Sequence, residues 1–488
     1  MNTTNTSTAP AGIDPNIKVV PIMVALITGV FFSIMNETLL NVALTPLSEQ
    51  FDVPHTTIQW LTTGYLLVVG ILVPISALLI SWFTTRQMFI GGMIIFTIGT
   101  LICGFAPNFP VLLIGRLVQA TSTGLMLPIL MNTILVLIPA ERRGSAMGLI
   151  GLVIMFAPAI GPTLSGLIVE NFGTQWLFFF VVPFALLSIG IAWVYLKNVT
   201  RVTKPKINIP SIILSTIGFG GIVFGFSSAE GEAGFAQPQV IVSIVVGAIA
   251  LAAFIVLQLR LKEPMLDFRT FKYPMFSIST ILMVIVMMSM FSTMILLPML
   301  LTDGIGLTGT IAGLALLPGG LLNGLFSPIT GRLFDKFGPR ALIIPGTIAL
   351  SIVLFFLSNI NADTPFALFV ALHIVLMLSI SMIMMPTQTN GLNQLDQSLY
   401  PHGTAILNTL MQVAGAIGIA FFVGIKASGV MSAEADGATE AMAVIAGTKG
   451  AFTIAFVISL LAVVLSFFTK RAKSPQGAPG EANQQPMH

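Results

Sequence analysis

Gly331-Arg332-Leu333-Phe334-Asp335-Lys336-Phe337-Gly338-Pro339-Arg340 is a charged island in a chain of which only 8% is charged. On either side of it, 308–330 and 340–359 are almost purely apolar. Each run is about the length that crosses a hydrocarbon core of roughly 30 Å at about 1.5 Å of helix rise per residue. Working outward in both directions, the pattern repeats. Apolar spans of helical length fall at 19–42, 57–80, 88–106, 110–137, 145–169, 174–196, 210–229, 238–259, 276–301, 308–330, 340–359, 365–390, 403–427 and 448–469. The chain is 55% hydrophobic with a mean hydropathy of +0.98. Soluble domains carry about 25% charged residues, so this one has too little charge to cover a water-facing surface. The expectation is an all-α membrane protein with 14 transmembrane helices, because a helix satisfies its backbone polar groups within one segment.

Loop charge orients the spans. Of the 21 Lys and Arg, all but Arg116, Lys426 and Lys449 fall at the termini or in one alternate set of loops. The opposite set is acidic: Glu49, Asp52, Glu170, Glu230, Glu232, Asp303, Asp363, Glu434, Asp436 and Glu440. Positive loops stay inside, which predicts both termini in the cytoplasm. The sequence pI of about 9.0 therefore reflects topology, and no basic–aromatic stripe speaks for nucleic acid. The first span is longer than a signal-peptide core and lacks a small-residue cleavage site after it. The single cysteine, Cys103, lies inside a span, so no disulfide is expected. Residues 1–16 and 474–488 are polar and low in complexity, the composition of disordered tails.

The loop between the second and third spans, Ser81-Trp82-Phe83-Thr84-Thr85-Arg86, occupies a place equivalent to 331–340 if the chain is two six-span halves with two extra spans between them. The division reads 1–18 as a cytoplasmic tail, 19–200 as the first half and 201–272 as two linker helices. Residues 273–470 form the second half and 471–488 a second cytoplasmic tail. Two six-helix halves related by an axis along the membrane normal make the major facilitator arrangement.

Glu37 and Arg116 are the ionisable residues well inside spans. A charge at that depth costs roughly 2.5–3.5 kcal/mol on insertion scales and marks a cavity or a partner. Ser33, Glu37 and Asn41 share a helix face at i, i+4 and i+8, and Arg116, Gln119 and Thr123 share another. Glu37 reads either as a solvated residue near the outer end of its span or as a protonation site. Arg116 reads either as that site's partner or as a structural cation pinning helices together. Asn36, Asn41, Gln59, Tyr65, Gln119, Asn132, Asn323, Gln388, Asn390, Asn408 and Gln412 are intramembrane polar groups. Each is a candidate for the substrate path or for interhelical glue. In the fifth span, Pro158, Gly161, Pro162 and Gly166 are expected to make a hinge or a tight crossing.

Other chemistry is missing. No phosphate-cradling G-x-x-x-x-G-K-[ST] is present. The histidines His55, His373, His402 and His488 lack metal-ligand spacing. No nucleophile elbow occurs, and no loop is long enough to be a catalytic domain. Neither an enzyme, a cofactor nor a metal is expected.

Four stretches now come together. Asn36-Glu37-Thr38-Leu39-Leu40-Asn41-Val42-Ala43-Leu44 matches a first-helix motif, and Arg116-Leu117-Val118-Gln119-Ala120 a fourth-helix arginine motif. Gly151 through Gly166 matches a fifth-helix antiporter motif, and Gly331 through Arg340 a cytoplasmic-loop motif. Across essentially all spans the chain resembles the 14-span drug:proton antiporters of the major facilitator superfamily, of the lincomycin-resistance type. The resemblance implies export of amphipathic or hydrophobic compounds in exchange for protons by alternating access, in a bacterial cell membrane, by a monomer. It implies proton coupling at Glu37 and Arg116. It gives Gly331, Arg332, Asp335, Lys336, Gly338 and Arg340 a part in holding the cytoplasmic side closed. Two departures stand out. Many relatives carry Asp where this chain has Asn36, and the 81–86 loop has Ser81 where the loop motif has Asp. Two other readings are an exporter of one physiological solute, such as a lipid, amino acid or siderophore, and a non-transporting membrane sensor.

Overall fold

A computed structural model describes residues 18–198, 202–228 and 237–472. The two polar tails, and Arg201, Glu230, Glu232 and Lys473, lie outside the described residues. The side chains of Asn41 and Pro162 are likewise outside the described set.

The first half comprises α1 (Val19–Phe51), α2 (His55–Ile58), α3 (Trp60–Trp82), α4 (Thr85–Gly104), α5 (Phe109–Leu137), α6 (Arg143–Phe172), α7 (Trp176–Phe179) and α8 (Val182–Tyr195). Two helices follow, α9 (Ile209–Ser227) and α10 (Pro238–Arg260). The second half comprises α11 (Pro274–Met299), α12 (Gly309–Phe337), α13 (Arg340–Ser358), α14 (Phe366–Asn393), α15 (Tyr400–Ala435) and α16 (Glu440–Phe467). Among the described residues 13 helical segments have the length and hydropathy to cross a membrane, one of them combining α7 and α8. The 30-residue α6 is the fourteenth long helix, so the 14-span architecture holds.

Local chemistry sets the helix ends. Thr84 and Gln87 form a capping box at α4, and Asn108 accepts from Val111 N ahead of α5. Gly338, at φ +81, ends α12 in a backbone region that a side chain disfavours. Its N–H still reaches Phe334 O at 2.8 Å.

Within the first half α1 packs on α5, α6 and α8, and α5 on α3 and α4. Within the second, α15 packs on α11 and α16, and α14 on α11, α12 and α13. The halves meet along two seams, α6 on α12 and α3 on α15. The extra pair packs on itself and docks through α9 on α3 and α15. α10 turns a continuous apolar face outward, with Val242, Ile249 and Leu259 each more than half exposed. That surface is tolerable only against lipid.

The helix of the first span outlasts the span: its apolar stretch is Val19–Leu40, as expected, but α1 runs 33 residues to a left-handed cap at Asp52. Glu37 is thus near the middle of a long helix and about one turn from the end of its apolar stretch. Gln59 lies at the very edge of its span: the helix ends at Phe51, and Gln59 is the exposed residue just before α3 begins. α6 is an unbroken α-helix through Pro158 and Pro162, so no hinge interrupts it.

Candidate functional site

The buried cation is built into the first half from four helices. Arg116, on α5, is 1% exposed. Its Nη1 donates to Asn36 Oδ1 on α1 at 2.8 Å and to Gln119 Oε1 at 2.9 Å. Its guanidinium lies 4.1 Å from the centre of the Tyr65 ring on α3, a cation–π contact with the cation desolvated. Its partners are hydrogen-bonded in turn. Gln119 Nε2 donates to Thr100 on α4 at 2.8 Å, and the Tyr65 hydroxyl donates to Thr123 at 2.7 Å.

Among the described residues no carboxylate touches Arg116. Asn36 fills the position against the guanidinium, and Glu37, one residue on and about 100° around the helix, is half-buried beside the cluster. Arg116's charge reaches it electrostatically. Among the described residues Glu37 makes no hydrogen bond and no ion pair. Ser33, on the same face one turn earlier, is fully buried with an unpaired hydroxyl. The site is thus a buried cation balanced at contact by neutral amides, with one uncommitted carboxylate nearby.

A second cluster lies where the halves meet. Met131 Sδ on α5 accepts from Gln388 Nε2 on α14 at 3.5 Å and from Asn408 Nδ2 on α15 at 3.4 Å. Gln388 also reaches Met411 Sδ at 4.0 Å and leaves its Oε1 buried without a partner. Gln412 is partly buried on the same helix, against Gly70 of α3. Three residues read with this group belong elsewhere. Asn132 turns into the first half, where it lines a void of about 10 Å³ with Ile80, Thr85 and Met88. Asn390 holds the chain's last described residues, donating to Lys470 O and accepting from Ala472 N, each at 3.0 Å. Asn323 faces Met377 inside the second half.

The halves are latched at the end that carries the basic loops. Asp335, in the last turn of α12, reaches the first turn of α6. Its Oδ1 accepts from Gly144 N at 2.8 Å, and its Oδ2 from Ser145 N at 2.8 Å and Ser145 Oγ at 2.5 Å. A carboxylate there satisfies free helix N–H groups and meets the positive end of the dipole. The two helices also touch backbone to backbone. A Cβ on Gly148 would lie 2.6 Å from Ser327 O, and one on Gly144 2.6 Å from Gly331 O. Gly324 meets Phe156 at mid-height at ordinary contact distance, whereas Gly313 and Gly166 towards the other end meet nothing. Of the fifth-span glycines, Gly161 is packed against Thr38 of α1 and Gly166 makes no close approach. α6 therefore makes two tight crossings: one at Gly161, against Thr38 of α1, in the expected stretch, and one at Gly144, Gly148 and Gly151, against α12.

Sequence reading placed Arg143 among the loop cations. It is 7% exposed and forms a second latch, donating to Asn393 Oδ1 at 2.9 Å and Tyr400 Oη at 3.1 Å across the seam. Its guanidinium also lies 5.1 Å from the Tyr400 ring centre. Arg332 and Lys336 are exposed. Arg340 donates to Thr469 O at 2.6 Å, and Arg471 to Asp335 O at 3.0 Å. A cleft of about 660 Å³ lies under the linker, lined by both charged and apolar side chains. On its wall burial pulls the Asp267 carboxyl upward, but Arg269's hydrogen bonds and charge outweigh that and hold it below the usual carboxylate range. The cleft mixes both signs of charge and is remote from Arg116.

Two bundles latched across an α6–α12 seam, with a buried arginine in the first, match known proteins throughout. The Major Facilitator Superfamily profile matches residues 26–419. The chain belongs to the major facilitator superfamily. The lincomycin resistance protein LmrB of Bacillus subtilis is 52% identical over 463 residues, 93% of this chain and 97% of that one. The multidrug export protein EmrB of Haemophilus influenzae is 26% identical, across 81% of this chain and 78% of its own. The superfamily fold recurs in the solved proton:xylose symporter XylE, with a TM-score of 0.65 at 14% identity over 93% of this chain and 96% of that one.

Proposed function

We propose that this chain is a drug exporter that uses the proton gradient, with Glu37 carrying the proton and Arg116 setting its environment. One observation carries the proton part: a half-buried, unpartnered carboxylate at mid-helix, within electrostatic reach of a buried guanidinium that only neutral groups touch. Such a carboxylate can change charge without breaking a salt bridge. Each proton entering down a 100 mV potential supplies about 2.3 kcal/mol. The Met131–Gln388–Asn408 cluster, with Met411 and Gln412, is the proposed substrate contact, because thioethers adapt to varied apolar shapes while amides fix orientation. The relatives named for lincomycin resistance and multidrug export support an amphipathic drug as cargo. The basic loops support a cytoplasmic position for the latched end and both termini in a bacterial cell, and the proposed working unit is the monomer. The latched arrangement then corresponds to the inwardly closed state.

The test is efflux of a neutral and a cationic dye from proteoliposomes with an imposed pH gradient. Glu37→Gln is expected to abolish gradient-driven transport of both dyes while dye binding persists. Gradient-driven transport at the wild-type rate would remove Glu37 from the coupling role.

A further inference from the structure

At the latched end, a cleft of about 400 Å³ opens beside the α6–α12 seam. Its walls are almost wholly apolar: Leu137 from α5, Ala146 and Leu149 from α6, and Pro328 from α12. Leu149 is 44% exposed, so the wall continues onto the surface of the bundle. Two arginines complete the rim, Arg142 from the first half and Arg332 from the second. Both are exposed, and among the described residues neither guanidinium has a protein partner. Three other arginines at this end are committed: Arg143 to Asn393 and Tyr400, Arg340 to Thr469, and Arg471 to Asp335.

We infer that this cleft binds an anionic phospholipid from the adjoining leaflet. An acyl chain matches the apolar walls, and a phosphate matches two free forks at the depth of the headgroups. A soluble anion would gain nothing from Leu137, Ala146 and Leu149, and a zwitterionic lipid would bring its own headgroup cation against the two guanidiniums, cancelling much of what its phosphate gains there. The lipid would span the two halves, with its headgroup held by one arginine from each. It would therefore favour the latched state, because separating α6 from α12 pulls the two forks apart. Ser145 lies in the cleft wall and also bonds Asp335, so the lipid site and the latch share a residue.

The experiment uses the full chain in nanodiscs of phosphatidylcholine with and without phosphatidylglycerol. Native mass spectrometry counts retained lipid, and thermal unfolding reads stabilisation. Phosphatidylglycerol is expected to be retained selectively. Arg142→Gln or Arg332→Gln should each weaken retention roughly fivefold, and the pair roughly thirtyfold, at about one surface charge's worth per arginine. Leu149→Trp, which crowds the cleft and keeps both charges, should weaken it too. Equal retention by wild type and the double variant, or equal stabilisation by inorganic phosphate alone, would overturn the proposal. Wild-type retention by Leu149→Trp would also overturn it, by removing the acyl chain from the cleft. The readouts involve no transport, so they stand or fall separately from proton coupling.

Discussion

Asn36 occupies the position against Arg116, and the available acid sits one residue further on. A carboxylate in direct contact would form a buried ion pair, which is costly to break by removing one partner. An amide leaves the guanidinium hydrogen-bonded and the charge balance to Glu37. That makes the two positions exchangeable in principle. In an Asn36→Asp background, Glu37→Gln is expected to recover pH-gradient-driven efflux that the single Glu37→Gln variant lacks. No recovery would mean that the position of the charge on the α1 face matters more than its presence near Arg116. The sequence displayed this cluster well: Arg116, Gln119 and Tyr65 were all legible as intramembrane polar groups. The direct pairing was not, because a one-residue offset on a helix decides which of two neighbours faces the guanidinium.

α6 crosses α12 closely at the end that carries the basic loops. Gly144 and Gly148 are spaced as a small-xxx-small pair, the pattern that lets membrane helices approach closely, and this was readable ahead of the structure. Arg143 was not, because its partners Asn393 and Tyr400 lie some 250 residues away in sequence. Two predictions follow from this crossing. With Cys103 replaced by Ser and Met131 replaced by Cys, Asp335→Asn or Tyr400→Phe is expected to raise labelling of residue 131 from the cytoplasmic side. Each removes one part of the latch, at a cost to the closed state of about 1 kcal/mol or more. Unchanged labelling would mean that these contacts do not hold the end closed. Gly148→Val should act more strongly, because its Cβ would lie 2.6 Å from Ser327 O and 2.9 Å from Pro328 Cα. It is expected to remain labelled even where the single latch variants close, and full protection would place the seam's freedom elsewhere.

For the molecule as a whole, hydropathy and loop charge were enough to lay out the helices, since lipid restricts the backbone so severely. They could not show where the halves touch. Side chains such as Gln388, Asn390 and Asn408 look alike as intramembrane amides, yet one group meets Met131 across the seam and another clamps the 470–472 segment. Membrane orientation rests on loop charge and is open to a direct check. A cysteine replacing Lys336 is expected to react with an impermeant maleimide only after the membrane is opened. Reaction in intact cells would reverse the topology and, with it, the direction in which the latched state is closed.

The clamp on residues 470–472 has a practical side. Asn390 holds the backbone there from both flanks, and Arg471 is bonded to the same residue that caps α6. A reporter dye or affinity handle attached at this point is therefore a wedge as well as a label. Its bulk would compete with the strap for Asn390 and weigh on Asp335. Kinetic comparisons should accordingly place such attachments on another loop, while a small fluorophore at residue 472 would serve as a local gauge of each opening stroke.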